Sequence, residues 1–161
     1  MENYLMLNGK RIDLTKEQIR TLGLEVEKDY FKRGGEYFYI TPQGNVTNDF
    51  DADGCITSNC RYNVGNYCTD ENIIKQRALH ETLDRLLWRF SMENDGDKID
   101  RNSSNRSKFY IYFKLIHKEF RIDSNTCFFR HNVYFYSMEV ARRALNEIVL
   151  PFMENHPEFV W

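Results

Sequence analysis

The sequence predicts an α+β chain: two tandem units of three antiparallel strands and one helix, behind an N-terminal hairpin and a short helix. Three observations predict this. The stretch "RYNVGNYCTDENIIKQRALHETL" (Arg61–Leu83) returns in outline as "RHNVYFYSMEVARRALNEIVL" (Arg130–Leu150). Each copy follows an aromatic run, "EYFYI" or "KFYIYFKLI", whose residue types favour strands. Each copy ends in apolar residues at three- and four-residue spacing, the mark of an amphipathic helix. The predicted segments are 1–35 for the hairpin and short helix, 36–93 for the first βββα unit, 94–107 for a polar linker and 108–161 for the second unit.

The hairpin reads from "YLMLNGKRIDLT". Tyr4–Leu7 and Arg11–Leu14 are short strands around Asn8-Gly9, a favoured tight-turn pair. Thr15 with Gln18 makes a capping box for a helix from Lys16 to about Leu22, which Gly23 ends. In the first unit, Glu36–Thr41 is a strand, Pro42 to Asn45 a turn, and Val46–Phe50 the next strand. "NDFDADGCITSNC" reads as a polar loop or wide hairpin, and Arg61–Cys68 as the third strand. Thr69 is the expected N-cap of a helix over residues 70–92, with Ile73, Ile74, Ala78, Leu79, Leu83, Leu86, Leu87 and Phe90 as its apolar set.

"ENDGDKIDRNSSNRSK" is polar and serves as the linker. The second unit repeats the order: "KFYIYFKLI", "KEFRID" and Thr126–Tyr136 as strands, then a helix from Met138 to Glu154 capped by Ser137. Its inner face is Val140, Ala141, Ala144, Leu145, Ile148 and Val149. Pro151 is expected to bend or end it. The tail "HPEFVW" carries Phe159, Val160 and Trp161 for docking on an apolar surface. Asn63-Val64 matches Asn132-Val133, Thr69-x-Glu71 matches Ser137-x-Glu139, and Arg77-Ala78-Leu79 matches Arg143-Ala144-Leu145.

Composition narrows the function classes. Twelve Phe and ten Tyr supply large pieces for a core and tyrosines for a surface. A net charge of −2 gives no global field toward nucleic acid or an anionic membrane, so such binding needs a local patch. The N-terminus lacks a long apolar run, and the chain is expected to be cytoplasmic with no membrane partner. The four cysteines are expected to be reduced in a cytoplasmic chain, and their spacing fits no zinc site. No cofactor motif occurs, and neither a nucleophile elbow nor a phosphate loop is present. "DFDADG" matches half of a calcium-binding loop, but Cys60 stands where the bidentate Glu belongs.

The segments "YFYI…GNV…RYNVGNYCTDENIIKQRAL" and "KFYIYF…VYFYSMEVARRAL" resemble a group of small accessory proteins of phages and prophages of low-GC Gram-positive bacteria. These carry "GNYF-x-T-x-EEA" and "IYF-x-S-x-E-x-A" units behind an "LNGK-x-x-x-LT-x-EQ" hairpin. The resemblance covers nearly the whole chain and implies a mobile-element origin rather than a reaction. It implies a non-enzymatic protein that binds host or defence machinery stoichiometrically in the host cytoplasm, as an anti-CRISPR inhibitor does. The units also resemble the AP2-type DNA-binding fold, though the strands lack a dense Arg/Lys set. A nucleic-acid-binding module and a small metal-dependent enzyme are the alternatives.

Strand alternation supplies the candidate site. It puts Arg61, Asn63 and Tyr67 on one face of the first unit, and Arg130, Asn132, Tyr134 and Tyr136 on one face of the second. If Val64 and Val133 face the helices, these faces are free to bind, and Arg with planar aromatics suits phosphates, bases or protein hot spots; the alternative is that Arg and Asn are solvated and the tyrosines cover the other sheet. The helix arginines Arg77, Arg142 and Arg143 are the next exposed basic groups.

Overall fold

The computed structural model describes residues 4–7, 9–21, 29–100, 102, 104–126 and 133–161. It is α+β, with antiparallel two-stranded sheets. Strands β1 (Tyr4–Leu7) and β2 (Lys10–Asp13) pair with Tyr4 opposite Asp13 and Leu7 opposite Lys10. Helix α1 (Lys16–Thr21) begins with the expected capping box. The Gln18 amide donates to Thr15 Oγ1 at 3.3 Å, and the Thr15 amide donates to Gln18 Oε1 at 2.9 Å.

Strands β3 (Gly35–Ile40) and β4 (Val46–Asp51) form the first sheet, with Phe38 opposite Asn48 and Tyr37 opposite Asp49. Period-two alternation gives it two unlike faces. Phe38, Ile40 and Val46 lie on one face, in the small core that includes Cys68, Ile74 and Ala78. Tyr37, Tyr39, Asp49 and Asp51 lie on the other, and helix α2 (Ile56–Asn63) covers it.

Helix α2 corrects the expected third strand. Residues 56–63 are helical, and only Cys68 reaches the sheet, as an isolated antiparallel bridge to Phe38. Its carbonyl accepts from Phe38 N at 2.7 Å and its amide donates to Phe38 O at 3.0 Å. In the second unit strands β5 (Lys108–Lys114) and β6 (Glu119–Asn125) pair likewise, and among the described residues Phe135 makes an isolated bridge to Phe109. Residues 127–132, part of the expected strand Thr126–Tyr136, lie outside the described residues.

Helix α3 (Glu71–Glu93) joins the units. Its N-cap is Asp70 rather than Thr69: the Asp70 carboxylate accepts from Asn72 N at 2.9 Å and Ile73 N at 3.3 Å. The first turns put Ile74 and Ala78 into the small core. Further along, Leu83, Leu87 and Phe90 enter a larger core with Ile111, Phe135, Ala141, Ala144, Val149, Phe152 and Phe159. One helix therefore serves two cores. No described residue of the linker 94–107 is buried. No described helix is long and apolar enough to cross a membrane.

The C-terminal helix runs through Pro151 instead of ending there. Segment α4 (Met138–Ala144), capped by Ser137, continues into a π-helical turn over Leu145–Val149 and then α5 (Leu150–Asn155). Pro151 has no N–H to donate, and its ring crowds the carbonyl four residues back. The wider turn, with the Leu150 amide on the Leu145 carbonyl, takes up that misfit. The tail then docks on α3: Gln76 Nε2 donates to Glu158 O at 2.7 Å, and Val160 N donates to Gln76 Oε1 at 3.0 Å. Phe159 is buried and Trp161 packs on Phe120, while Val160 is 68% exposed.

Candidate functional site

In the first unit the predicted strand face is not a free surface, and in the second Tyr134 is buried too. Tyr67 is 1% exposed and Tyr134 6%, whereas Val64, expected to face a helix, is 73% exposed. The inversion follows from α2. A helix over 56–63 ends the strand alternation, and the chain re-enters the sheet with the tyrosine inward. Asn63 remains exposed at the end of α2. Arg130 and Asn132 lie outside the described residues.

Tyr67 and Arg61 instead belong to a polar-aromatic layer between α2 and the sheet. The Tyr67 ring stacks on Tyr37 with centroids 4.2 Å apart. Its hydroxyl donates to Lys32 O at 3.1 Å and to Asp51 Oδ2 at 3.2 Å. Asp51 is buried and forms a bidentate pair with Arg33, and it also accepts from the Gly34 amide at 3.1 Å. Arg61 Nη1 donates to Tyr37 Oη and to Asp49 Oδ2, each at 2.6 Å, and its guanidinium lies 3.4 Å from the centroid of Tyr39. Arg33 also donates to Asn59 Oδ1 at 2.8 Å and sits over the Tyr62 ring.

The electrostatics are those of a structural clasp. Hydrogen bonding from Arg33 holds the Asp51 carboxyl well below the usual carboxylate range, and Arg61 lowers that of Asp49. Burial pushes the Tyr67 phenol up to about 12, so at neutral pH it is a fixed donor. Each carboxylate of the half calcium motif that faces this layer thus has an arginine partner. Asp53 is exposed in the turn that follows. Among the described residues no group of three His, Cys, Asp or Glu is placed to hold a metal, and Cys55, Cys60 and Cys68 are free thiols.

In the second unit Tyr134 packs edge-on against Tyr110, and its carbonyl accepts from buried Ser91 Oγ at 2.6 Å. Tyr136 is 40% exposed and lines a cavity of about 280 Å³ with Lys98, Arg106, Lys108 and Phe109. Arg143 bonds Glu147 on its own helix and donates to Asn94 Oδ1 at 3.0 Å, tying the linker to the helix.

The surface that the sequence reading missed is on α3. Arg77, Glu81, Arg85, Trp88 and Met92 fall on one stripe by helical spacing. Glu81 accepts from both Arg77 and Arg85 at 3.0 Å. Beyond this ion-paired row, Trp88 is 57% exposed and Met92 41%. Neither residue belongs to the apolar set that the sequence gives α3, and that is the signal the sequence offers. No protein-family model, curated protein or solved structure matches the chain.

Proposed function

We propose that the chain is a phage-encoded, non-enzymatic binding protein that acts stoichiometrically on a host or defence-system protein in the host cytoplasm, as an anti-CRISPR inhibitor does. The observation that carries the binding reading is Trp88 with Met92 on the exposed side of α3. Tryptophan is mostly buried on average and, with arginine, is enriched at interface hot spots. Here it stands on the helix that both cores immobilise, beside Arg85 and exposed Arg89, so little ordering cost falls on association. The mobile-element origin rests on the sequence resemblance.

The test is affinity capture with tagged protein from phage-infected cells, with nuclease treatment, run beside a Trp88→Ser variant. The expected result is a nuclease-resistant partner in 1:1 stoichiometry, bound at least about 30-fold more weakly by the variant, the loss typical of an aromatic anchor. A partner retained equally by Trp88→Ser refutes the assignment of the surface, and nuclease-sensitive capture refutes protein binding.

A further inference from the structure

We propose that the tip of the β5–β6 hairpin is a lipid-contact element that inserts Leu115 and Ile116 into an anionic bilayer surface. This apex is separate from the Trp88 stripe and departs from the expectation of no membrane partner. The β5–β6 register closes at Lys114 opposite Glu119, and the His117 amide donates to the Lys114 carbonyl at 3.2 Å. Leu115 and Ile116 are therefore the two central residues of a β-turn. Those positions favour Gly, Pro, Asn, Asp and Ser, which satisfy turn geometry and water together. Lys118 follows with φ of 50°, a left-handed conformation in which glycine or asparagine is the ordinary choice.

The apex thus departs from turn chemistry at three positions, and each departure adds an apolar or a cationic group. Leu115 is 79% and Ile116 86% exposed, the highest values among the large hydrophobics described. The base of the hairpin is firm. Phe113 and Phe120 face each other across the strands at 4.9 Å, and Trp161 packs on Phe120 at 4.9 Å. The shoulders carry Lys114, His117 and Lys118, and the nearest acid, Glu119, is paired with Arg121 at 2.6 Å. A chain of net charge −2 therefore presents a locally cationic, apolar point.

A convex knob of two aliphatic side chains suits a fluid layer, which accepts it without a shaped pocket. Lysines at its shoulders can lay their stems along the acyl boundary and keep the ammonium groups at headgroup level. Anionic lipid adds attraction to each of them within a Debye length. The tip has fewer apolar carbons than one acyl chain, whose partition constant is about 10⁴ M⁻¹, and the two lysines restore part of the difference, so half-binding is expected at lipid concentrations on the order of 1–10 mM.

The experiment is co-sedimentation of the full chain with phosphatidylcholine vesicles with and without phosphatidylserine, at low and high salt. The expected result is binding to the serine-containing vesicles only, weakened by salt. A Leu115→Ser/Ile116→Ser variant should lose about tenfold or more. If that variant misfolds, Leu115→Asn/Ile116→Gly gives the turn its preferred residues and takes its place. Wild-type protein that stays in the supernatant at about 10 mM lipid overturns the proposal and leaves the knob for a pocket on a protein. Equal binding by wild type and a folded tip variant also overturns it, because charge alone then accounts for the attraction.

Discussion

Truncation of Tyr67 separates a clasp from a binding surface. Tyr67→Ala removes a ring that is 1% exposed and stacked 4.2 Å from Tyr37, together with the donor to Asp51 and Lys32 O. Truncating a buried aromatic costs about 3–5 kcal/mol. Tyr67→Phe keeps the stack and deletes only the hydroxyl, a loss of about 1–3 kcal/mol because one of its acceptors is a charged carboxylate. In a chain of this size these figures correspond to a fall in Tm on the order of 10 °C for Ala and a few degrees for Phe. Denaturant unfolding by circular dichroism measures both, and the slope with denaturant should stay unchanged. Tyr67→Ala within about 1 kcal/mol of wild type would refute the buried stack and reopen this face as a surface.

Two further outcomes follow from the same geometry. The folded Tyr67 phenol sits at about 12 against the ordinary 10.0, so its contribution is whole below pH 10 and is lost as pH rises through 12; ultraviolet titration should show a late phenolate that Tyr67→Phe lacks. Gly96→Ala would place a Cβ 2.6 Å from the Ser91 carbonyl oxygen and displace the 3₁₀ turn Gly96–Lys98 from the end of α3, a loss of about 1–3 kcal/mol by thermal melt, where no loss refutes the close approach.

Elements with a strong local signal were legible. The aromatic alternation of β3 and β5, the three-to-four spacing of α3, the Thr15–Gln18 box and the Ser137 cap all appear within a residue or two. Helix α2 was not legible, because its sequence "ITSNCRYN" argues against helix. Ile56 and Thr57 are β-branched, Asn59 and Asn63 compete for the backbone, and only Ser58 is buried. What holds α2 is distant in sequence: Arg61 on Asp49, Asn59 on Arg33 and Ser58 on Tyr37. In the first unit the candidate face is lost for the same reason, since alternation from Arg61 to Tyr67 has meaning only in a strand. "KFYIYFKLI" likewise reads as one strand, and nothing local shows that the chain turns after Lys114.

The repeat itself shifts by one residue in space. The sequence matches Thr69 with Ser137 and, two residues out of step with that, Arg77-Ala78-Leu79 with Arg143-Ala144-Leu145, but the caps are Asp70 and Ser137. Counted from those caps, the bridging residues Cys68 and Phe135 coincide, as do the buried Tyr67 and Tyr134 and the buried Ile74 and Ala141. Counted from the bridged strand residues Phe38 and Phe109, Ile40 coincides with Ile111, and Tyr37 coincides with Lys108, both pairs buried. Tyr37 meets Ser58 and Arg61 of α2, whereas the Lys108 ammonium donates to the carbonyls of Arg106 and Thr126. The matched positions are thus spent on two cores and on the bridges to their sheets. Among the exposed apolar residues outside them, Trp88 with Met92 and the Leu115-Ile116 apex have no counterpart in the repeat and no role in either core. A burial requirement does not explain an exposed tryptophan or an aliphatic turn, so these are the positions where contact with something other than this chain has to be sought.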